Sequence, residues 1–148
     1  MKDILKKNPL FSIFLLPAVL DVLFTVIGQP SQYWTSGYKV FSEAAPVYIF
    51  LQIHPIVFII TTLAIWLPFT YWLTKKLKSP LNIWAATALL VGHGYNSIAW
   101  LRRICLSLGL FSANNQFSAA LSTIPMTILI FLVAWFASRG FINYFKNK

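Results

Sequence analysis

The chain has 148 residues, of which 58% are hydrophobic and only 10% are charged, and its mean hydropathy is +0.70. Soluble domains carry about 25% charged residues, so the composition excludes a water-soluble domain and indicates an integral membrane protein. The net charge of +9 does not indicate nucleic acid, because the lysines and arginines occupy chain ends and short connections. Anionic lipid headgroups are the natural partner of charge distributed in this way.

Four apolar stretches are long enough to cross a bilayer, whose hydrocarbon core requires about 20 residues of helix. Asp21 interrupts the first stretch and no clear cleavage site follows it, so we expect an uncleaved helix. The second stretch contains Pro55 and Pro68, and it is long enough to require tilt. The predicted helices cover residues 10–27, 47–73, 81–101 and 117–138, within a single transmembrane domain over residues 1–148.

Positive charge is divided unequally between the two sides that four crossings would create. Nine lysines and arginines fall in the N-terminus, the 74–80 turn and the C-terminus, and only Lys39, Arg102 and Arg103 fall opposite. The positive-inside rule therefore places both termini in the cytoplasm. The sequence predicts an all-α antiparallel bundle in a bacterial cytoplasmic (inner) membrane. Residues 104–111 either extend the third helix or lie at the interface.

Under that orientation, polar side chains gather in the outer half of the membrane. Asp21 lies late in the first helix, His54 opens the second and His93 lies just past the middle of the third. His93, Asn96, Trp100 and Arg103 share one face of the third helix, and Arg102 points away from that face. On the first helix, Asp21 and Thr25 also share a face. The predicted cluster comprises Asp21, Thr25, Glu43, His54, His93, Asn96, Trp100 and Arg103.

These side chains have structural as well as functional interpretations. An ionisable residue in a membrane helix is costly and by default functional, but Asp21 could also pair with Arg103 or Thr25. The histidines and Asn96 could join helices by hydrogen bonds, and the arginines could extend to lipid phosphates. The aromatic residues at helix ends are predicted to form an interfacial belt; they are Tyr33, Trp34, Tyr71 and Trp72. Near His54, Pro55 leaves the carbonyl of Leu51 without its usual helical donor.

Three functions fit this pattern. The first is a non-catalytic accessory or binding subunit of a larger membrane complex, in which the cluster fixes helix packing or docks another membrane subunit. The second is a b-type haem carrier, with His54 and His93 on the iron and Arg103 beside a propionate. The third is a small proton-linked transporter that uses Asp21, with His93 beside it as a proton acceptor and relay. Catalysis is not expected, because the sequence has no nucleophile motif, His-x-x-x-His pair or phosphate loop.

Two short motifs carry a resemblance to a known family. Asp-x-x-x-Thr ends the first predicted helix at Asp21 and Thr25, and Glu-x-x-Pro opens the second at Glu43 and Pro46. This pair resembles a family of small bacterial multi-helix membrane proteins of unknown function, over about the first third of the chain. That family usually has Glu-Ala-Asn-Pro, whereas Ala45 replaces the asparagine here. The resemblance implies that Asp21 and Glu43 belong to one feature at the outer surface, and it implies no activity.

Overall fold

The computed structural model describes residues 7–43, 47–111 and 116–147. Its secondary structure in these ranges is helical, which confirms the all-α part of the predicted fold. Within the described ranges, three helices are long and apolar enough to cross a membrane, namely the first, the fourth and the last. The helices are α1 (Pro9–Ile27), α2 (Ser31–Thr35), α3 (Tyr48–Ile53), α4 (Pro55–Lys76), α5 (Leu81–Ser107), α6 (Gln116–Leu121) and α7 (Thr123–Lys146).

Helix α1 is the centre of the packing, and its buried side chains form most of the main hydrophobic core. Its start is fixed by Asn8, whose side-chain oxygen accepts from the Phe11 amide and whose Nδ2 donates to Tyr71 O and Thr74 Oγ1, each at 2.9 Å. Helix α7 approaches very closely at Gly140, where a Cβ would lie 2.6 Å from Ile13 Cγ1. The N-terminal half of α1 is thus held on two sides.

Contacts along α1 show how the long helices run. Helix α5 runs with α1, because Ala86 packs against the first half of α1 and Trp100 lies against its end at Gly28. Helix α4 runs the other way, since its C-terminal end meets Asn8. The C-terminal half of α7 also packs against the N-terminal half of α1. The four long helices therefore alternate in direction along the chain, and α1 packs against the other three.

The prediction of one continuous helix over residues 47–73 is wrong, because the chain breaks at His54. That residue is extended, with φ −173° and ψ 140°. A proline disfavours helical conformation in the residue before it, so Pro55 ends α3 and begins α4. Helix α4 then continues through Pro68. The turn ahead of it, Thr62–Trp66, is π-helical, and its wider winding relieves the clash of a proline ring with the carbonyl four residues back.

The ends of the later helices also differ from the predicted bounds. Residues 104–111 were expected either to extend the third predicted helix or to lie at the interface. Helix α5 extends to Ser107, so the first of these residues continue the helix. Its last turn closes with the Gly109 amide on Leu106 O and the Leu110 amide on Cys105 O, and Gly109 has a φ of +67°. This is a Schellman motif. The predicted helix over 117–138 is instead α6 and α7, and α7 continues to Lys146.

Candidate functional site

Three polar side chains from three helices form a continuous hydrogen-bonded chain beside the C-terminal half of α1. His93 Nδ1, on α5, lies 2.8 Å from Asp21 Oδ2 on α1. Trp66 Nε1, on α4, lies 2.9 Å from His93 Nε2. The Asp21 and His93 side chains are only 13% and 16% exposed, so the bond between them is largely shielded, whereas the Trp66–His93 bond is exposed. Of the partners considered for Asp21 in the sequence, which were Arg103, Thr25 and His93, the structure selects His93.

The indole of Trp66 determines which nitrogen of His93 carries the proton. An indole N–H can only donate, so Nε2 of His93 accepts from Trp66. The imidazole is then neutral, with its proton on Nδ1, and Nδ1–H donates to Asp21 Oδ2. The histidine consequently contributes no positive charge opposite the carboxylate.

Two local features hold this chain of groups in place. Ser97, one turn after His93, is fully buried, and its hydroxyl lies 2.9 Å from Pro17 O on α1 and 2.7 Å from His93 O. The Ser97 hydroxyl thus joins α5 to α1 next to Asp21 and His93. On the other side, Trp66 ends the π-helical turn of α4. π-Helical turns of this kind occur frequently at functional sites, where they redirect a side chain.

The chain of groups forms part of the wall of a cavity of about 440 Å³, which we call the Asp21 cavity. Small-molecule sites range from about 300 to 1,000 Å³, so the volume suits a small ligand. Most of the wall is apolar, with Phe50, Phe58 and Trp66 as its aromatic members. The lining comprises Asp21, Val22, Thr25, Glu43, Val47, Phe50, Phe58, Thr61, Thr62, Ile65, Trp66, His93 and Asn96.

Glu43 and Val47, which lie between α2 and α3, line the cavity, and Gln29 anchors the residue before Glu43. The Gln29 side chain accepts from the Ser42 amide at 2.8 Å and donates to Thr25 O at 2.8 Å. Both bonds fix Ser42 relative to the end of α1, and they place Glu43, the next residue, in the cavity wall. An adjoining hollow shares Glu43 and Asn96 with the cavity and continues to Trp100.

Most of the sequence-predicted cluster lies around this cavity. Asp21, Thr25, Glu43, His93 and Asn96 line it, so the two motifs of the family resemblance contribute to one feature, although Pro46 lies outside the described residues.

The rest of the predicted stripe on α5 continues toward the adjoining hollow. Trp100 packs against Gly28, and the Arg103 guanidinium lies over the Trp100 ring at 5.1 Å. Arg102 is exposed, as its helical phase predicts.

His54 is not among the residues that line the cavity. It caps the start of α4, where its Nδ1 accepts from the Ile56 amide at 3.1 Å, and its ring lies edge-on to Tyr38 at 5.0 Å. Haem ligation needs a free ring nitrogen on each histidine. Both nitrogens of His93 are bonded to Trp66 and Asp21, so the residues present do not fit a bis-histidine haem.

Three residues of the site region were absent from the predicted cluster. Trp66 and Gln29 look unremarkable in sequence, since an indole and an amide have no distinctive spacing. Tyr33 was assigned to the interfacial belt, which is wrong, because it is fully buried and its hydroxyl donates to Leu51 O at 2.9 Å. This is the carbonyl that Pro55 leaves without a helical donor. Burial raises the pKa of Tyr33 to about 12, with a smaller contribution from Tyr38.

The described residues contain no group of three or more His, Cys, Asp or Glu side chains that could hold a metal ion. Comparisons with protein-family models, with curated proteins and with solved structures find no match.

Proposed function

We propose that this protein is a non-catalytic binding component of a membrane, and that the Asp21 cavity holds a small, largely apolar ligand. The observation that carries the proposal is the cavity itself: an apolar enclosure with a few convergent polar groups at one side. Small-molecule binding sites typically have a mostly apolar wall with a few polar groups. The Trp66–His93–Asp21 chain gives those polar groups a fixed orientation, which favours binding over mere helix packing.

In this proposal four helices span the membrane, because α5 crosses it in addition to α1, α4 and α7, and both termini are cytoplasmic. Helix α5 has 27 residues, which gives it a length of about 40 Å, and the charge asymmetry supports the orientation. The cavity then lies in the outer leaflet. In a Cys105→Ser background, an impermeant maleimide should label Ser36→Cys in intact cells and leave Lys76→Cys unlabelled. The reverse pattern would contradict the orientation.

Binding can be tested through ligand-induced stabilisation, because a ligand that binds only the folded state raises the melting temperature. The purified protein is melted with and without a small-molecule extract of its native membrane. We expect stabilisation of the wild type and none for Thr61→Phe, which fills the cavity. Thr127→Phe makes the same change on the exposed face of α7 and should respond like the wild type. Equal responses of all three proteins would refute a cavity ligand.

We also propose that the protein works within a larger assembly of membrane subunits. Large aromatic side chains are exposed on α4 and α7, among them Trp72 and Phe131, and exposed apolar surface of this extent suits lipid or another membrane subunit. Extraction of the native membrane into polymer-bounded discs, followed by native mass spectrometry, should show this chain with other subunits in fixed stoichiometry. A chain found only by itself would contradict this part of the proposal.

A further inference from the structure

The charge around the Asp21 cavity is opposite to that of the chain as a whole. The sequence has twelve lysines and arginines and only three acidic residues. Two of those three, Asp21 and Glu43, line this one cavity, and among the described residues no lysine or arginine lines it. His93 supplies no compensating charge, because the Trp66 indole holds it in the neutral form.

The second oxygen of Asp21 is the open position of the site. Oδ2 accepts from His93, whereas no described residue donates to Oδ1, and Oδ1 is not among the buried unpaired atoms. A carboxylate shielded from water and lacking a positive partner is strongly unfavourable. The cavity thus offers a hydrogen-bond acceptor, Asp21 Oδ1, to which no described residue donates.

From these observations we infer that the ligand is an organic cation: an ammonium group attached to an apolar body. Its charge lies at Asp21 Oδ1, with Glu43 contributing negative potential. The rings of Phe50, Phe58 and Trp66 provide the apolar wall and favourable cation–π contact. An inorganic divalent ion is less suitable, because the described residues bring no three His, Cys, Asp or Glu side chains together in a group that could hold it. The inference rests on the proposed binding function and specifies its ligand.

The test uses three probes that share one apolar body and differ in charge: 4-phenylbutylammonium, phenylbutanol and phenylbutyrate. Binding is measured by equilibrium dialysis with the protein in phosphatidylcholine nanodiscs, and empty discs give the blank. We expect the cation to bind at least tenfold more tightly than the alcohol, and the carboxylate to bind most weakly. Asp21→Asn should remove the preference for the cation and leave alcohol binding unchanged, since asparagine can still accept from His93.

Glu43→Gln provides a second variant in case Asp21→Asn does not fold, and it should weaken cation binding several-fold. Asp3→Asn removes the same charge near the N-terminus and should have no effect. Equal binding of cation and alcohol, with both lost in Thr61→Phe, would overturn the inference while the cavity function stands. Failure of the cation to bind the wild type would also overturn it, and the melting experiment with membrane extract decides separately on the cavity.

Discussion

Replacement of Tyr33 by phenylalanine tests how the break at His54 is stabilised. The Tyr33 hydroxyl donates to Leu51 O at 2.9 Å, and both residues are fully buried. Pro55 has no N–H, so Tyr33→Phe leaves a buried carbonyl without any donor. An unsatisfied buried group costs about 1–3 kcal/mol, more than the roughly 0.5–1.5 kcal/mol net value of an ordinary hydrogen bond. We therefore expect a loss of about 1–3 kcal/mol in the free energy of unfolding.

The assay is reversible unfolding in mixed micelles of sodium dodecyl sulfate and a mild detergent, followed by circular dichroism. Tyr38→Phe is the matched control, because it removes a hydroxyl from a neighbouring ring for which the structure describes no hydrogen bond. Its cost should stay within about 0.5 kcal/mol. If Tyr33→Phe were no more destabilising than Tyr38→Phe, Leu51 O would have another donor and the explanation would be refuted.

Alkaline pH gives a separate test of the burial of the Tyr33 hydroxyl. The pKa of Tyr33 is raised from 10.0 to about 12 in the folded protein, so the unfolded state releases this proton first. The stabilisation is complete below pH 10 and is lost as the pH rises toward 12. The stability difference between wild type and Tyr33→Phe should therefore narrow over that interval. A difference that stays constant would contradict the assignment.

Two further substitutions test the packing around the site by the same unfolding assay. Gly28→Ala would place a Cβ 2.6 Å from Trp100 Cε3 and should cost about 1–3 kcal/mol in the free energy of unfolding. At Gly92, an added Cβ meets nothing within 4 Å, so Gly92→Ala should be neutral or stabilising. Equal effects of the two substitutions would contradict the close approach of Trp100 to Gly28. Ser97→Ala removes the hydroxyl that joins α5 to α1 and should cost about 1 kcal/mol, while Ser138→Ala, bonded within its own exposed helix, should cost less. A reversed order would show that Ser97 does not join the helices.

The sequence was sufficient to predict the helical class and the gathering of polar residues, because both follow from hydropathy and helical phase. Asp21, Thr25 and His93 could be assigned to one region since membrane-spanning helices convert residue number into depth. The break at His54 was also within reach, because a proline acts on the residue before it. The long second apolar stretch nevertheless outweighed that local signal in the prediction.

The individual partners could not be predicted, because they depend on distances between helices. Asp21 had several candidate partners, and only the packing of α5 on α1 selects His93. The role of Trp66 depends on the π-helical turn, for which hydropathy gives no signal. Pro55 identifies Leu51 O as a carbonyl in need of a donor, yet nothing in the sequence selects Tyr33 from the other aromatic residues of its loop.

The most direct test of the central claim is a crystal structure of the protein grown from a lipid mesophase together with 4-phenylbutylammonium. We expect the ligand in the Asp21 cavity, with its cationic group beside Asp21 Oδ1 and its phenyl ring among the aromatic residues of the wall. His93 should lie between Trp66 and Asp21, as it does without ligand. A cavity filled by its own side chains, or a His93 ring turned away from Asp21, would contradict the account.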